Sequence, residues 1–71
     1  MTIIKAYRID HNLRQEEMAK KLDCSLPSYR LYERGQKVLP HRVLAKFLKL
    51  RALPEDLELL EALEEFYEKH I

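Results

Sequence analysis

Apolar side chains recur at helical spacing along nearly the whole chain. Ile4 and Tyr7 lie on one side of a short first segment, and a second segment that opens at Gln15 repeats the spacing at Met18 and Leu22. Side chains three or four positions apart share one face of an α-helix, whereas a half-buried strand alternates apolar and polar positions. The pattern therefore predicts two successive short helices at the start of the chain.

Residues that start or stop helices divide the segments that follow. Asn12 and Asp23 tolerate a left-handed backbone better than most residues, which suits them to end the first and second helices. Ser25 is a good N-cap for a third helix, and Gly35 favours the left-handed conformation that follows a helix. We therefore expect a third helix from about Leu26 to Arg34.

Two further helices are predicted beyond a loop at 36–40. The fourth begins at about His41, and its broad apolar face contains Val43, Leu44, Phe47, Leu48 and Leu50. A residue before proline disfavours the helical conformation, so Leu53-Pro54 should break the helical pattern. A fifth helix over 54–70 carries an apolar stripe made of Leu57, Leu59, Leu60, Leu63, Phe66 and Tyr67. The predicted fold class is all-α, with five short helices in a single domain spanning 1–71.

Composition limits the chemistry that the chain can perform. One cysteine among 71 residues excludes an internal disulfide framework, and the three histidines lack the spacing of a metal site. No nucleophile is paired with a base, and no Gly-rich phosphate loop occurs. We therefore expect no enzymatic activity, no cofactor and no metal. Because no apolar run approaches the ~18 residues of a membrane span, we expect no membrane association and a cytoplasmic location.

The formal net charge of +1 conceals an asymmetry between the two ends of the chain. Residues 1–53 hold twelve of the thirteen Lys and Arg residues against five acidic ones, whereas residues 54–71 hold seven acidic residues against Lys69. A basic body with an acidic end suggests a polyanionic partner for the body. Charge balancing between packed helices explains the same distribution equally well.

The segment from Gln15 to Gly35 has the spacing of a helix-turn-helix. Two short helices flank a tight turn at 23–25, and the small Ala19 lies where the helices would cross. The segment resembles the phage-repressor class of helix-turn-helix domains, the lambda-repressor and Cro type also called XRE-like. The resemblance covers about 3–53 and rests on Arg8, Leu13, Gln15, Met18, Ala19, Leu22, Cys24, Ser25, Glu33 and Gly35. It implies a five-helix lambda-repressor-like bundle, here with an acidic amphipathic C-terminal helix.

The resemblance also implies a function and a set of site residues. Proteins of this class dock on double-stranded DNA, which implies a phage or bacterial transcriptional repressor that binds a pseudo-palindromic operator as a homodimer, with the third helix in the major groove. The positions that match the family's phosphate contacts are Arg14, Gln15, Arg34, Lys37 and Arg42. The base-facing positions are Ser25, Leu26, Pro27, Ser28, Arg30 and Leu31. Arg8 and Glu33 match an internal ion pair that ties the first helix to the end of the third.

Several residues depart from the family pattern. Arg14 stands where the family prefers a Ser or Thr N-cap, and Asp23 replaces a usual Gly. Leu26, Pro27 and Leu31 occupy positions where polar base-contacting side chains are usual. Apolar side chains can contact thymine methyl groups, but they cannot form bidentate hydrogen bonds to a base. The alternative function is therefore a protein-interaction module on the same fold, an antirepressor or an antitoxin, whose third helix meets a protein partner.

The fifth helix and two tyrosines admit more than one interpretation. A chain this short needs additional burial, which favours the apolar stripe of the fifth helix as a dimer seam. The helix would otherwise cap the core of its own chain or fold over the basic face. For Tyr29 and Tyr32, core packing with the hydroxyl reaching outward is favoured over stacking on bases.

Overall fold

Five α-helices and no strand make up the part of the chain that the computed structural model describes, which is the backbone of residues 1–70 and the side chains of residues 1–66. In chain order the helices are α1 (Ile3–Asp10), α2 (Gln15–Lys21), α3 (Leu26–Glu33), α4 (His41–Arg51) and α5 (Pro54–His70). The predicted all-α fold class is confirmed. Among the described residues, no helix combines the length and the apolar character that crossing a membrane requires.

The helix ends show where the backbone needs a left-handed residue. Asn12 and Asp23 both adopt a φ of 54°, and Gly35 adopts a φ of 73°, as these residue types predict. Helix α3 ends at Glu33, one residue earlier than expected, with Arg34 as its C-cap. Ala52 after α4 also has a φ of 54°, which its side chain does not predict.

The start of α2 is capped from within the helix. Arg14 is the N-cap residue, and its guanidinium can only donate hydrogen bonds, so it cannot satisfy the free N–H groups of the first turn. The Glu17 carboxylate instead accepts a hydrogen bond of 2.9 Å from the Arg14 backbone N–H. This is one half of a capping box, and it partly replaces the cap that Ser or Thr would provide.

Side chains from all five helices form one hydrophobic core. Its most deeply buried members are Ile4, Met18, Leu22, Tyr29, Phe47 and Leu48. Tyr29 and Tyr32 both pack in this core, as predicted, but the expectation that the hydroxyls reach outward is wrong for Tyr29. Its hydroxyl is buried, without a hydrogen-bond partner at bonding geometry. The reason is that Tyr29 packs wholly inside the bundle, where its ring cannot extend to the surface.

Helix α5 packs back along α4, in the opposite direction. Asp56 at the start of α5 is buried and forms an ion pair with Arg51 at the end of α4, while the ring of Phe66 lies 5.7 Å from that of His41 at the start of α4. The buried Asp56 therefore marks α5 as a part of the core rather than a loose extension. The charge asymmetry of the sequence is in part a balance between these two packed helices.

Candidate nucleic-acid interface

The turn between α2 and α3 has the geometry of a helix-turn-helix. Ala19 is buried where the two helices meet, and its carbonyl accepts a hydrogen bond of 3.0 Å from the Cys24 N–H. Asp23 supplies the left-handed backbone at the bend, and the partly buried Cys24 packs against the core. The Ser25 hydroxyl then accepts a hydrogen bond from the Ser28 N–H at 3.3 Å. The cap starts α3 at a fixed point on the surface.

One side of α3 lies open to solvent although α5 is in place. Tyr29 and Tyr32 face the core, whereas the exposed residues of the segment are Ser25, Pro27, Arg30, Leu31 and Arg34. Leu26 and Ser28 are half-buried. Helix α5 therefore packs on the bundle without covering this face, which we call the outer face of α3 and define by residues 25–28, 30 and 31.

The cations expected to hold phosphates come from four different elements. Arg14 and Arg34 flank helices, and Lys37 lies in the loop after α3, where its ammonium is 5.7 Å from the centre of the Tyr32 ring. All of these side chains, and Arg42, are exposed. Arg42 lines a groove beside the α2–α3 turn together with Asp23. These exposed cations come from segments next to α3 along the chain or the bundle, although Arg14 is also paired with Glu17 at 3.3 Å.

Arg8 and Glu33 form an ion pair between α1 and the end of α3. The guanidinium donates through Nε to Oε2 and through Nη2 to Oε1 of the carboxylate, both at 2.9 Å. Its Nη1 donates to the Leu13 carbonyl at 3.0 Å. This two-pronged geometry fixes both side chains, because a guanidinium and a carboxylate match as planar forks.

Gln15 extends this ion pair to the outer face of α3. Its Nε2 donates to Oε1 of Glu33 at 3.3 Å, and its Oε1 accepts from Nε of Arg30 at 3.2 Å. The sequence places Gln15 and Arg30 among the DNA contacts but contains no signal that they touch each other. Their contact depends on the angle at which α2 and α3 pack.

The pKa of Glu33 reflects both its burial and the hydrogen bonds that it accepts. Burial alone would raise the pKa of Glu33, but the hydrogen bonds it receives, first from Arg8, hold that pKa below its ordinary value. The same hydrogen bond raises the pKa of Arg8. Burial, and then the nearby Glu33 carboxylate, raises the pKa of Tyr29. The site therefore keeps one guanidinium and one carboxylate ionised at neutral pH, beside a neutral phenol.

The residues expected at a dimer seam divide into two groups. Leu57, Leu59 and Phe66 are exposed by 51%, 47% and 45%. Leu60, in contrast, is 7% exposed and belongs to the core, and Leu63 is partly buried against it. Leu60 and Leu63 are therefore removed from the expected seam, because they already pack against the core of their own chain. The side chain of Tyr67, the sixth residue of the set, lies outside the described residues.

Comparison with known protein families agrees with this geometry. A family model described as a helix-turn-helix domain matches residues 3–63, which covers all of α1 to α4 and the first part of α5. No curated protein and no solved structure is found to match the chain.

Proposed function

The chain belongs to the helix-turn-helix domain family, and from this premise we propose that it is a sequence-specific DNA-binding transcriptional regulator, a repressor. The observation that carries the proposal is the outer face of α3, which stays exposed in the packed bundle and includes Arg30. An α-helix with its side chains is about 10–12 Å wide, close to the ~12 Å width of the major groove. Helix α3 would therefore enter that groove with its outer face towards the bases.

The contacts divide into those that position the protein and those that select a sequence. Phosphate contacts are assigned to Arg14, Gln15, Arg34, Lys37 and Arg42. Gln15 has one amide hydrogen that neither Glu33 nor Arg30 uses, and this hydrogen can meet a phosphate oxygen. Base contacts are assigned to Ser25, Leu26, Pro27, Ser28, Arg30 and Leu31. The apolar members of this set suit thymine methyl groups.

We further propose that the protein binds as a homodimer through α5. The exposed Leu57, Leu59 and Phe66 are large apolar residues on the flanks of α5, beside the side of the helix that packs on α4. Burying them against a second copy would remove apolar surface from water. A two-fold dimer predicts a pseudo-palindromic operator whose half-sites lie about 34 Å apart. A dimer that occupies such a site over a promoter would exclude polymerase, and the protein would act in the cytoplasm, where its DNA lies.

Selection from random-sequence duplexes at two salt concentrations tests the proposal. If four to six phosphates are neutralised per dimer, the slope of log affinity against log salt is about −4 to −5. Arg34→Ala should make this slope shallower by about 1 per protomer, because each cation contributes one released counterion. Lys20→Ala, a matched loss of one exposed charge in the last turn of α2, should leave it unchanged. Binding that does not depend on salt would contradict the proposal.

The second candidate is a protein-interaction module of the antirepressor or antitoxin kind. The observation that favours it is the apolar character of the outer face of α3, where Leu31 is 38% exposed and Pro27 lies one turn before it. Under the first function the double variant Arg30→Ala, Arg34→Ala abolishes DNA binding. Under the second it leaves partner capture intact, whereas Leu26→Asp destroys that capture.

A further inference from the structure

A continuous row of hydrogen bonds leads from the interior of the bundle to the outer face of α3. Its four members are Arg8, Glu33, Gln15 and Arg30, which we call the Gln15 network. The inner end is rigid, because Glu33 is buried and accepts two hydrogen bonds from Arg8. The outer end is Arg30, which is exposed.

The donor and acceptor chemistry of this row leaves Gln15 one orientation. A carboxylate can only accept hydrogen bonds and a guanidinium can only donate them. The amide nitrogen of Gln15 must therefore face Glu33, and its oxygen must face Arg30, as the structure shows. If the amide were rotated by half a turn, its oxygen would face the Glu33 carboxylate and its nitrogen would face the Arg30 guanidinium. Neither hydrogen bond could then form. The hydrogen bond to Glu33 thus fixes the orientation of the Gln15 amide, and in this orientation the amide oxygen accepts a hydrogen bond from Arg30.

The bond to Gln15 uses only one edge of the Arg30 guanidinium. Nε donates to Gln15, which leaves the two terminal nitrogens as a free pair of donors. Two parallel donors match the O6 and N7 acceptors of guanine in the major groove. On the outer face of α3, the other polar side chains are Ser25 and Ser28, and a hydroxyl cannot present two parallel donors.

We propose that Gln15 is a positioning residue that sets Arg30 to recognise one guanine in each half-site of the operator. This inference rests on the proposed function, and it makes the base preference at one position depend on a residue of α2. A free arginine side chain loses much conformational freedom when it docks on a base, and a guanidinium held in advance loses less. The neighbouring Leu26 and Leu31 supply no competing hydrogen bond, so the guanine contact dominates the polar recognition.

The test starts from the duplex that the full chain selects from a random-sequence library. Each guanine of that duplex is replaced in turn by 7-deazaguanine, which lacks the N7 acceptor, and by adenine in an A·T pair. We expect one guanine in each half-site whose replacement by adenine weakens wild-type binding by about 5- to 150-fold. Arg30→Met should erase this difference, and Gln15→Met should reduce it by about 2- to 10-fold, the effect of one lost hydrogen bond.

Matched variants separate positioning from a general loss of affinity. Arg34→Met removes an exposed cation of the same type one turn further along and should weaken binding to all duplexes equally. Gln15→Met keeps the length of the side chain and leaves the Arg8–Glu33 pair in place, so folding should persist. If thermal unfolding shows otherwise, Gln15→Ala replaces it in the same binding measurements.

Several results would overturn the inference. If Gln15 served the phosphates alone, Gln15→Met would weaken binding to all duplexes equally, and this result would overturn the inference. A guanine preference that survives Arg30→Met would exclude Arg30 as its source. In both cases wild-type binding to DNA would still support the proposed function. A wild-type protein that binds no duplex would overturn the inference and the proposed function together.

Discussion

The guanidinium of Arg8 joins the Glu33 carboxylate through two hydrogen bonds of 2.9 Å, which ties α1 to the end of α3. The Glu33 side chain is 4% exposed and that of Arg8 18% exposed. The Thr2 hydroxyl adds a third tie, since it donates to the Glu33 carbonyl at 2.8 Å. Helix α3 is therefore anchored at the end opposite to its Ser25 cap, which is how so short a helix keeps a fixed outer face.

Breaking the Arg8–Glu33 pair should be costly for stability. Arg8→Met keeps the apolar stem of the side chain but leaves the buried Glu33 charge without its partner. Because Arg8 is partly exposed, we expect a loss at the lower end of the range for buried pairs, about 3 kcal/mol in the free energy of unfolding. Urea unfolding at neutral pH measures it, with Lys20→Met as the control, which should change stability by less than about 0.5 kcal/mol. Equal effects of the two variants would contradict the structural role.

The same pair should make stability depend on acid. The pKa of Glu33 is lowered in the folded state relative to its ordinary value of 4.5, so its contribution to stability is present above that value. It is lost as the pH falls through 4.5 towards the folded pKa, because the unfolded state binds the proton more tightly. In Arg8→Met, burial remains but the hydrogen bonds from Arg8 are gone, so the pKa of Glu33 should rise relative to the wild type. The stability gap between wild type and Arg8→Met should therefore narrow between about pH 7 and pH 3, as urea unfolding at each pH will show.

A gap that stays constant over this pH range would mean that Glu33 does not titrate differently in the two proteins. Lys20→Met serves again as the control, and its gap to wild type should not change with pH. The comparison also removes the contribution of Asp56, whose pKa is lowered by its hydrogen bonds from Arg51 in both proteins.

The helix ends were the most predictable part of the fold because their causes are local. Ser25 caps α3 and Gly35 ends it through the properties of single residues, which a sequence displays directly. The left-handed Ala52 was missed, since alanine has no preference for that conformation and the packing of α5 on α4 imposes it. The adjacent Pro54 predicts only that a helix ends nearby.

A side chain at Gly35 should cost stability for a reason that lies in the backbone alone. Its φ is 73°, and a Cβ added there would meet Thr2 Cγ2 at 3.8 Å, an ordinary contact distance. Gly35→Ala should therefore cost about 1–2 kcal/mol through the left-handed backbone and not through a clash. Thermal or urea unfolding measures the loss. A cost close to zero would show that the chain can end α3 in another conformation.

Asp23→Gly is the matched comparison, at a left-handed position that already carries a side chain. Glycine relieves the backbone strain at this position, which stabilises the folded state. It also gives the unfolded chain more conformational freedom, which costs about 0.4–1 kcal/mol of stability and offsets that gain. The ion pair from Asp23 to Lys46, at 3.8 Å between exposed side chains, contributes little. We expect Asp23→Gly to lie within about 0.5 kcal/mol of wild type, which explains how the chain departs from the family's usual Gly without unfolding.

The candidate site was predicted as a set of residues but not as a network. Gln15 and Arg30 follow from their positions in the helix-turn-helix, and each was assigned to DNA separately. Their hydrogen bond, and the one from Gln15 to Glu33, arise because α2 and α3 pack together at this point. Such contacts depend on tertiary packing to within a few tenths of an ångström, which periodicity cannot provide. The buried hydroxyl of Tyr29 was missed for the same reason.

The apolar residues on the outer face of α3 also predict that the protein recognises thymine methyl groups. Replacing a contacted thymine of the selected duplex by uracil removes one methyl group and should weaken wild-type binding about 4-fold, the effect of about 0.8 kcal/mol. Leu31→Ala should show a smaller response to the same replacement, as the side chain that meets the methyl is shortened. Gel-shift or fluorescence titration measures both. Uracil at positions outside the footprint is the control, and equal responses at all positions would contradict the expectation.

Two adjacent leucines of α5 allow the dimer to be tested apart from the fold. Leu59 is 47% exposed, whereas Leu60 is 7% exposed in the core. Leu59→Glu should leave the monomer's stability within about 0.5 kcal/mol, since the new side chain faces solvent. Under the proposed seam it should place a charge in the apolar contact between copies, so that sedimentation shows a monomer where the wild type shows a dimer.

Leu60→Ala should destabilise the monomer but leave the dimer contact intact. It removes core contacts of α5 and should cost about 2–5 kcal/mol of stability, while the exposed Leu57 and Leu59 are unchanged. At temperatures where the variant is still folded, it should therefore sediment as a dimer and protect both half-sites of the operator. A wild-type protein that sediments as a monomer, or a Leu59→Glu variant that stays dimeric, would exclude the exposed apolar residues of α5 as the seam. The symmetry of the operator would then have to arise from another surface or from the DNA itself.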